Sequence, residues 1–251
     1  MFYALIAVII LIASFLFSML GLGGALVYVP LFKWAGFSVK DFAIPLALLL
    51  NGLTTLIALI AYTKNKLVDW KGGATMAVAA FVFAPLGAIV SSAVPINLLL
   101  ILFSLAIVAA AGRMLFLSKM PEPETIMSFK KRALIGGIIG SFAGFVAGLL
   151  GVGGGFIMAP LLMWMGYSTK KAAATSAFAV TLSSFSGFAG HVSNVQNFNW
   201  VLTIVLTIMV VLGALAGSNF MAKKAKSSRV KQIFAVVLLV IAVKMFLGVV
   251  L

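Results

Sequence analysis

Apolar residues run along this chain in long blocks, and the polar residues fall in short clusters between them. Blocks near 20 residues, the length a helix needs to cross a hydrocarbon core, occur at 2–20, 41–63, 72–93, 96–117, 133–150, 171–191, 199–222 and 232–251. A chain in lipid must satisfy its own backbone N–H and C=O groups, and a helix does so within one segment. The pattern therefore predicts an all-α polytopic membrane protein. The first block has no positive charge ahead of it and is followed at once by more apolar sequence, so it reads as an uncleaved span rather than a signal peptide. Two stretches, Gly21 to Lys40 and Gly151 to Lys170, break the pattern: each joins a glycine cluster to an apolar run too short to span comfortably.

The two breaks are related. A shift of 130 residues aligns GLGGALVYVPLFKWAGFSVKDFAI, from Gly21, with GVGGGFIMAPLLMWMGYSTKKAAA, from Gly151, with 10 of 24 positions identical. The same shift carries Trp70 onto Trp200 and Gly87 onto Gly217. Biased composition makes leucines and alanines coincide, but not Gly, Pro, Trp, Ser and Lys in one register. The chain is thus read as two repeats, 1–120 and 133–251, joined by a cytoplasmic linker, 121–132.

Composition fits a membrane protein: 64% of the 251 residues are apolar and 9% charged, against roughly 45–50% and 25% in soluble domains. The net charge of +14 comes from clusters between spans, which marks juxtamembrane charge rather than nucleic-acid binding. Those clusters also report topology. If each glycine stretch and its preceding helix form one crossing, the loop Lys and Arg divide 8 to 9 between the two sides. If each break adds an even number of crossings, as a re-entrant hairpin does, the repeats are inverted and the tally becomes 15 to 2. Lys33 and Lys40 then lie outside, the other loop cations lie inside, and both termini lie outside. Lys244, within the last span, is expected to snorkel outward.

Inverted repeats with discontinuous helices are a transporter architecture in which half-helix N-termini face a midplane site and receive anionic groups. Here Gly21, Gly23 and Gly24, and Gly151, Gly153, Gly154 and Gly155, each precede an apolar helical stretch whose free N–H groups would face the break. The following span in each half offers polar residues at matching positions: Asn51 with Thr181, and Thr54 with Ser184. Each set is one helical turn apart, on one face. Thr175, Ser176, Thr55, Ser183 and Ser186 extend that polar character. Close helix packing explains glycine clusters equally well in isolation, and a lone Ser or Thr more often bonds its own helix.

The absences narrow the chemistry. No cysteine and one histidine remove disulfides, thiolate metal sites and any His cluster, so no enzyme, metal or cofactor is expected. All four acids, Asp41, Asp69, Glu122 and Glu124, fall in or beside loops, away from the membrane core where coupling carboxylates usually sit. Anion export needs no such coupling, since a cell-negative potential favours departure of each negative charge by about 2.3 kcal/mol per 100 mV. His191, near a span end expected outside, is the residue a proton-linked step would use; Arg113 and Lys244 lie close enough to span ends to snorkel. Exposed apolar surface faces lipid, so the sequence gives no oligomeric state.

GLGGALVYVPL at 21–31, GVGGGFIMAPL at 151–161 and the following Ala174-Thr175-Ser176 resemble the sulfite exporter TauE/SafE family, and the resemblance covers nearly the whole chain. It implies a transporter moving sulfite, sulfoacetate or related organosulfur anions across the cytoplasmic membrane, usually outward. The first half departs from the stronger glycine pattern at Ala25, where the second has Gly155, and at Pro45, where the second has Thr175. Another small anion, a channel-like path and a membrane scaffold remain as alternatives.

Overall fold

The computed structural model describes residues 2–118, 125–192 and 199–223, and, in the C-terminal segment, 230, 232, 236–241, 243 and 244. The expected linker acids Glu122 and Glu124, the inside cations Lys119, Lys224, Lys226, Arg229 and Lys231, and much of the span expected at 232–251 lie outside the described residues. Among the described residues the chain is helical, in the order α1 (Phe2–Ser18), α2 (Ala25–Trp34), α3 (Ile44–Lys64), α4 (Trp70–Ala93), α5 (Ile96–Ser118), α6 (Phe129–Leu150), α7 (Gly155–Trp164), α8 (Thr169–His191) and α9 (Trp200–Lys223). A short π-helical turn, Val39–Ala43, leads into α3.

Six of these helices, α3, α4, α5, α6, α8 and α9, are long and apolar enough to cross a membrane. α2 and α7 have 10 residues each, about 15 Å of helix, half of what a hydrocarbon core requires. Both carry a proline in mid-helix, Pro30 and Pro160. The expected breaks are therefore real interruptions between a long helix and a short one.

Helix packing relies on missing side chains. Gly140, Gly144 and Gly148 follow one another at four-residue spacing on α6, and a Cβ on each would lie 2.5, 2.5 and 1.8 Å from the carbonyl oxygens of Met76, Ala80 and Ala84 on α4. Backbones approach that closely only where small residues line the seam. On the other side of the molecule Gly213 and Gly217 of α9 meet Leu11, Ser14 and Phe15 of α1 in the same way. In both seams residue numbers rise together, so α4 runs parallel to α6 and α1 parallel to α9. At the centre, α3 and α8 are the most enclosed long helices, with 72% of their apolar windows buried, against 39–44% for the other four spans. Exposed residues such as Val78, Ile138, Ile204 and Val240 form the apolar exterior expected to face lipid.

Candidate functional site

Each break is built on backbone conformations that L side chains rarely adopt. Gly21 and Gly23 have φ of 63° and 70°, and Gly151, Gly153 and Gly154 have 75°, 74° and 72°. Positive φ costs glycine little and other residues more. The breaks also touch one another: a Cβ on Gly155, the first residue of α7, would sit 2.6 Å from the Leu22 carbonyl oxygen. Close approach and backbone conformation thus both demand glycine.

Asn51 fills the space between them. A Cβ on Gly23 would fall 2.0 Å from Asn51 Oδ1, and one on Gly153 would fall 2.0 Å from Asn51 Nδ2. The amide is fully buried and uses both ends. Ala25 N–H, at the start of α2, donates to Oδ1 at 2.9 Å, while Nδ2 donates to Ser184 Oγ at 2.9 Å. Asn51 therefore supplies the acceptor that a half-helix N-terminus seeks and ties it to α8. The start of α7 has no side-chain cap.

The other expected site residues divide into two groups. Thr181 Oγ1 stands 3.0 Å from Thr55 Oγ1, near the middle of both helices, and Tyr28 Oη lies 3.1 Å from Thr54 Oγ1. Ser176 Oγ donates to Gly21 O at 3.2 Å and Ser183 Oγ to Gly153 O at 3.1 Å, each sharing its proton with a carbonyl of its own helix. Gly24 packs on Tyr28, Gly21 on Ala173, Gly151 on Ile44 and Gly154 on Ala143. Thr175 faces elsewhere: its hydroxyl accepts from Asp69 N–H at 3.1 Å. Ser186 donates to Phe81 O at 2.5 Å.

The contacts repeat with the register of the sequence. Leu48 meets Gly187, Asn51 meets Ser184 and Thr55 meets Thr181, so numbers rise on α3 as they fall on α8, and these equivalent helices run antiparallel. Lys40 Nζ donates to Ser92 O at 2.9 Å, and Lys170 Nζ, 130 residues later, donates to Ala222 O at 3.1 Å. Each lysine caps the last turn of a long helix, where carbonyls and the dipole favour a cation.

Two features escaped the sequence. At one end, Asp69 N-caps α4 by accepting from Gly72 N–H at 2.8 Å, and its other oxygen accepts from Arg132 at 2.7 Å and from Tyr167 at 2.8 Å. Arg132 also hydrogen bonds to Tyr167 Oη. Burial works against the Asp69 charge, but the Gly72, Tyr167 and Arg132 donors prevail and hold its carboxyl below the usual range. Burial, followed by the Asp69 hydrogen bond, pushes the Tyr167 phenol up to about 12. The second feature lies where the long helices stop. Tyr62 Oη donates to Ser18 O and Met19 O, both at 2.8 Å, and His191 Nε2 lies 2.8 Å from Gly148 O, which accepts from it. His191 is 2% exposed, so it is packed inside rather than set at a wet interface. Lys244, by contrast, places its ammonium 4.2 Å from the Trp34 ring centre.

No three His, Cys, Asp or Glu side chains come together as a metal-ligand set among the described residues. Asp41 sits in the π turn and bonds Ser38. The centre offers backbone amides, hydroxyls and one carboxamide: neutral hydrogen-bonding groups at dipole ends, a chemistry suited to an oxyanion.

The family model described as Sulfite exporter TauE/SafE matches residues 6–245. The chain is 29% identical to the "Probable membrane transporter protein YunE" of Bacillus subtilis, with 96% of each chain covered. A "Probable membrane transporter protein" of Haemophilus influenzae is 26% identical, with 94% of this chain and 95% of that protein covered. A shorter match, 53% identical over 45 residues, joins 18% of this chain to 10% of "Sulfite exporter TauE/SafE family protein 3" of Arabidopsis thaliana. No solved structure matches the chain.

Proposed function

The chain belongs to the sulfite exporter TauE/SafE family and is a membrane transporter, and from that premise we propose that it exports sulfite or small organosulfur anions such as sulfoacetate across the cytoplasmic membrane. The observation that carries this reading is the position of Asn51, wedged between Gly23 and Gly153 and bonded to the first N–H of α2. Each half-helix N-terminus carries roughly +0.5 charge, and two of them meet around the Asn51 carboxamide, which an incoming anion would displace. Asn51 Oδ1 holds the place of an anion oxygen, and Gly21, Gly23, Gly24, Gly151, Gly153, Gly154 and Gly155 let the backbone come close enough to donate. Thr54, Thr181 and Ser184 line the approach; Ser176 orients the first break through Gly21 O. Thr175 acts at the Asp69 end rather than on the anion.

The two halves work as inverted repeats that alternate access. The antiparallel contact of α3 with α8 supports inversion, because equivalent helices that touch head to tail imply a two-fold axis lying in the membrane plane. With both termini outside, Asp69, Arg132 and Tyr167 fall on the cytoplasmic side and tie the first half to the second there. Opening toward the cytoplasm parts this cluster; opening outward leaves it closed.

The test is flux of labelled sulfite and of a small sulfonate in proteoliposomes under an imposed potential, with wild type beside Gly153→Leu. Potential-driven flux lost in a folded variant is the expected result. Wild-type vesicles that carry neither anion faster than empty ones would overturn the sulfur-anion reading.

A further inference from the structure

A broken helix exposes two opposite ends, and an anion site needs only one of them. The N–H end attracts anions, whereas the carbonyl end carries roughly −0.5 charge and, in discontinuous transporter helices, coordinates cations. In both halves of this chain, carbonyls at the break accept from side-chain donors. Tyr62 takes Ser18 O and Met19 O where α1 stops, and His191 takes Gly148 O where α6 stops. Further into the breaks, Ser176 reaches Gly21 O and Ser183 reaches Gly153 O. Ser18 and Gly148 are 130 residues apart, the repeat spacing, so the same carbonyl is covered in each half, once by a phenol and once by an imidazole.

We infer that Tyr62 and His191 are specificity-determining positioning residues that quench the carbonyl ends of the two broken helices, leaving the breaks selective for anions over cations. This deepens the reading of the central site as an anion site and rests on it. His191 acts here as an N–H donor, a role that consumes no proton. The repeat mate of Tyr62 is Val192 and that of His191 is Ala61, so the second half performs the task from the neighbouring residue, with a shorter ring.

The test compares wild type with Tyr62→Phe, His191→Phe and His191→Gln, each shown to be monodisperse in detergent. In sulfite-loaded proteoliposomes the two Phe variants should raise the half-saturating sulfite concentration about tenfold, an electrostatic effect of the size helix ends produce, with a smaller change in maximal flux. His191→Gln restores an N–H donor and should behave as wild type. Thermal unfolding in sodium chloride against choline chloride gives a readout that needs no transported anion: uncovered carbonyls should let sodium stabilise the Phe variants and not the wild type. Absence of sulfite flux from wild type defeats the substrate reading, and the sodium comparison then decides the inference. Folded Phe variants with neither weaker sulfite saturation nor a sodium response would overturn it.

Discussion

Gly217 lies so close to Phe15 that a Cβ built on it would stand 2.0 Å from the Phe15 carbonyl oxygen. At the other end of the repeat, Gly87 meets the carbonyl oxygen of Phe145 at the same 2.0 Å. Both partners are displaced by 130 residues, so α1 packs on α9 and its repeat mate α6 packs on α4, one contact between the halves made twice over. Gly217→Leu or Gly87→Leu must push backbone against backbone, and each should lower stability by about 3 kcal/mol or more. Thermal unfolding in detergent checks this, with Gly137→Ala as the control, since nothing lies within 4 Å of a Cβ there.

Asn51→Leu should both destabilise the protein and stop transport. The change leaves Ala25 N–H without its acceptor and removes the donor to Ser184, a loss of about 2–4 kcal/mol for buried groups left unsatisfied. Asn51→Asp retains the acceptor but sets a negative charge in the proposed anion site. Its stability should suffer less from the missing Ala25 acceptor than that of the Leu variant, while sulfite flux falls just as far. Parallel unfolding and flux measurements separate the two effects.

The Asp69 cluster offers a test of gating. Because the chain has no cysteine, a single Ala177→Cys on the buried face of α8 becomes a clean reporter for a membrane-impermeant maleimide. Arg132→Gln should raise its labelling rate from the cytoplasmic side about tenfold, for loss of a charge-assisted tie worth about 1.5 kcal/mol. Unchanged labelling in a folded variant would remove the cluster from the gating scheme.

The pH response of that cluster follows from Asp69. Its carboxyl lies below the usual range in the folded protein, so whatever stability the charge gives is present above the unfolded value of about 3.9 and is lost as pH falls through the lower folded value. Tyr167, raised to about 12, stays neutral meanwhile. The cluster's contribution to thermal stability, read as the difference in Tm between wild type and Asp69→Asn, should therefore be flat between about pH 5 and 8 and shrink only in stronger acid.

Orientation can be read from the same cysteine-free background. Single cysteines at Lys33 and Lys66 should label from opposite sides of intact cells, Lys33→Cys from outside. Labelling of both from one side would discard the re-entrant scheme.

Much of this architecture was legible before any coordinates. Of the eight long apolar runs, six became helices long enough to span, 2–20 formed the 17-residue α1, and much of 232–251 lies outside the described residues; the shortness of the apolar runs after Gly24 and Gly154 announced α2 and α7. The aligned Gly, Pro, Trp, Ser and Lys residues anticipated Gly87 with Gly217 and Lys40 with Lys170. Asn51 stood out because a carboxamide in a span needs partners, though its position between both breaks depended on how α3 crosses α8. The equivalence of Tyr62 and His191 was hidden by a register offset of one residue, although His191 stood out as the single histidine. Asp69, Arg132 and Tyr167 were hidden by distance, since 98 residues separate the first from the last and nothing local distinguishes them from other loop residues. The Thr175 contact was hidden for a related reason: its helix turns that hydroxyl toward the α3–α4 connection, where it accepts from Asp69 N–H.

The paired lysine caps carry a consequence for how such a chain enters a membrane. Insertion favours keeping cations on the cytoplasmic face, yet a duplicated unit that closes α4 in one half and α9 in the other with a lysine must, in the proposed inverted arrangement, place that lysine once on each side. In the proposed orientation Lys170 obeys the insertion preference and Lys40 opposes it. The outward lysine is thus a cost of building both halves from one plan, and the inside-facing charge clusters elsewhere must outweigh it for the topology to hold.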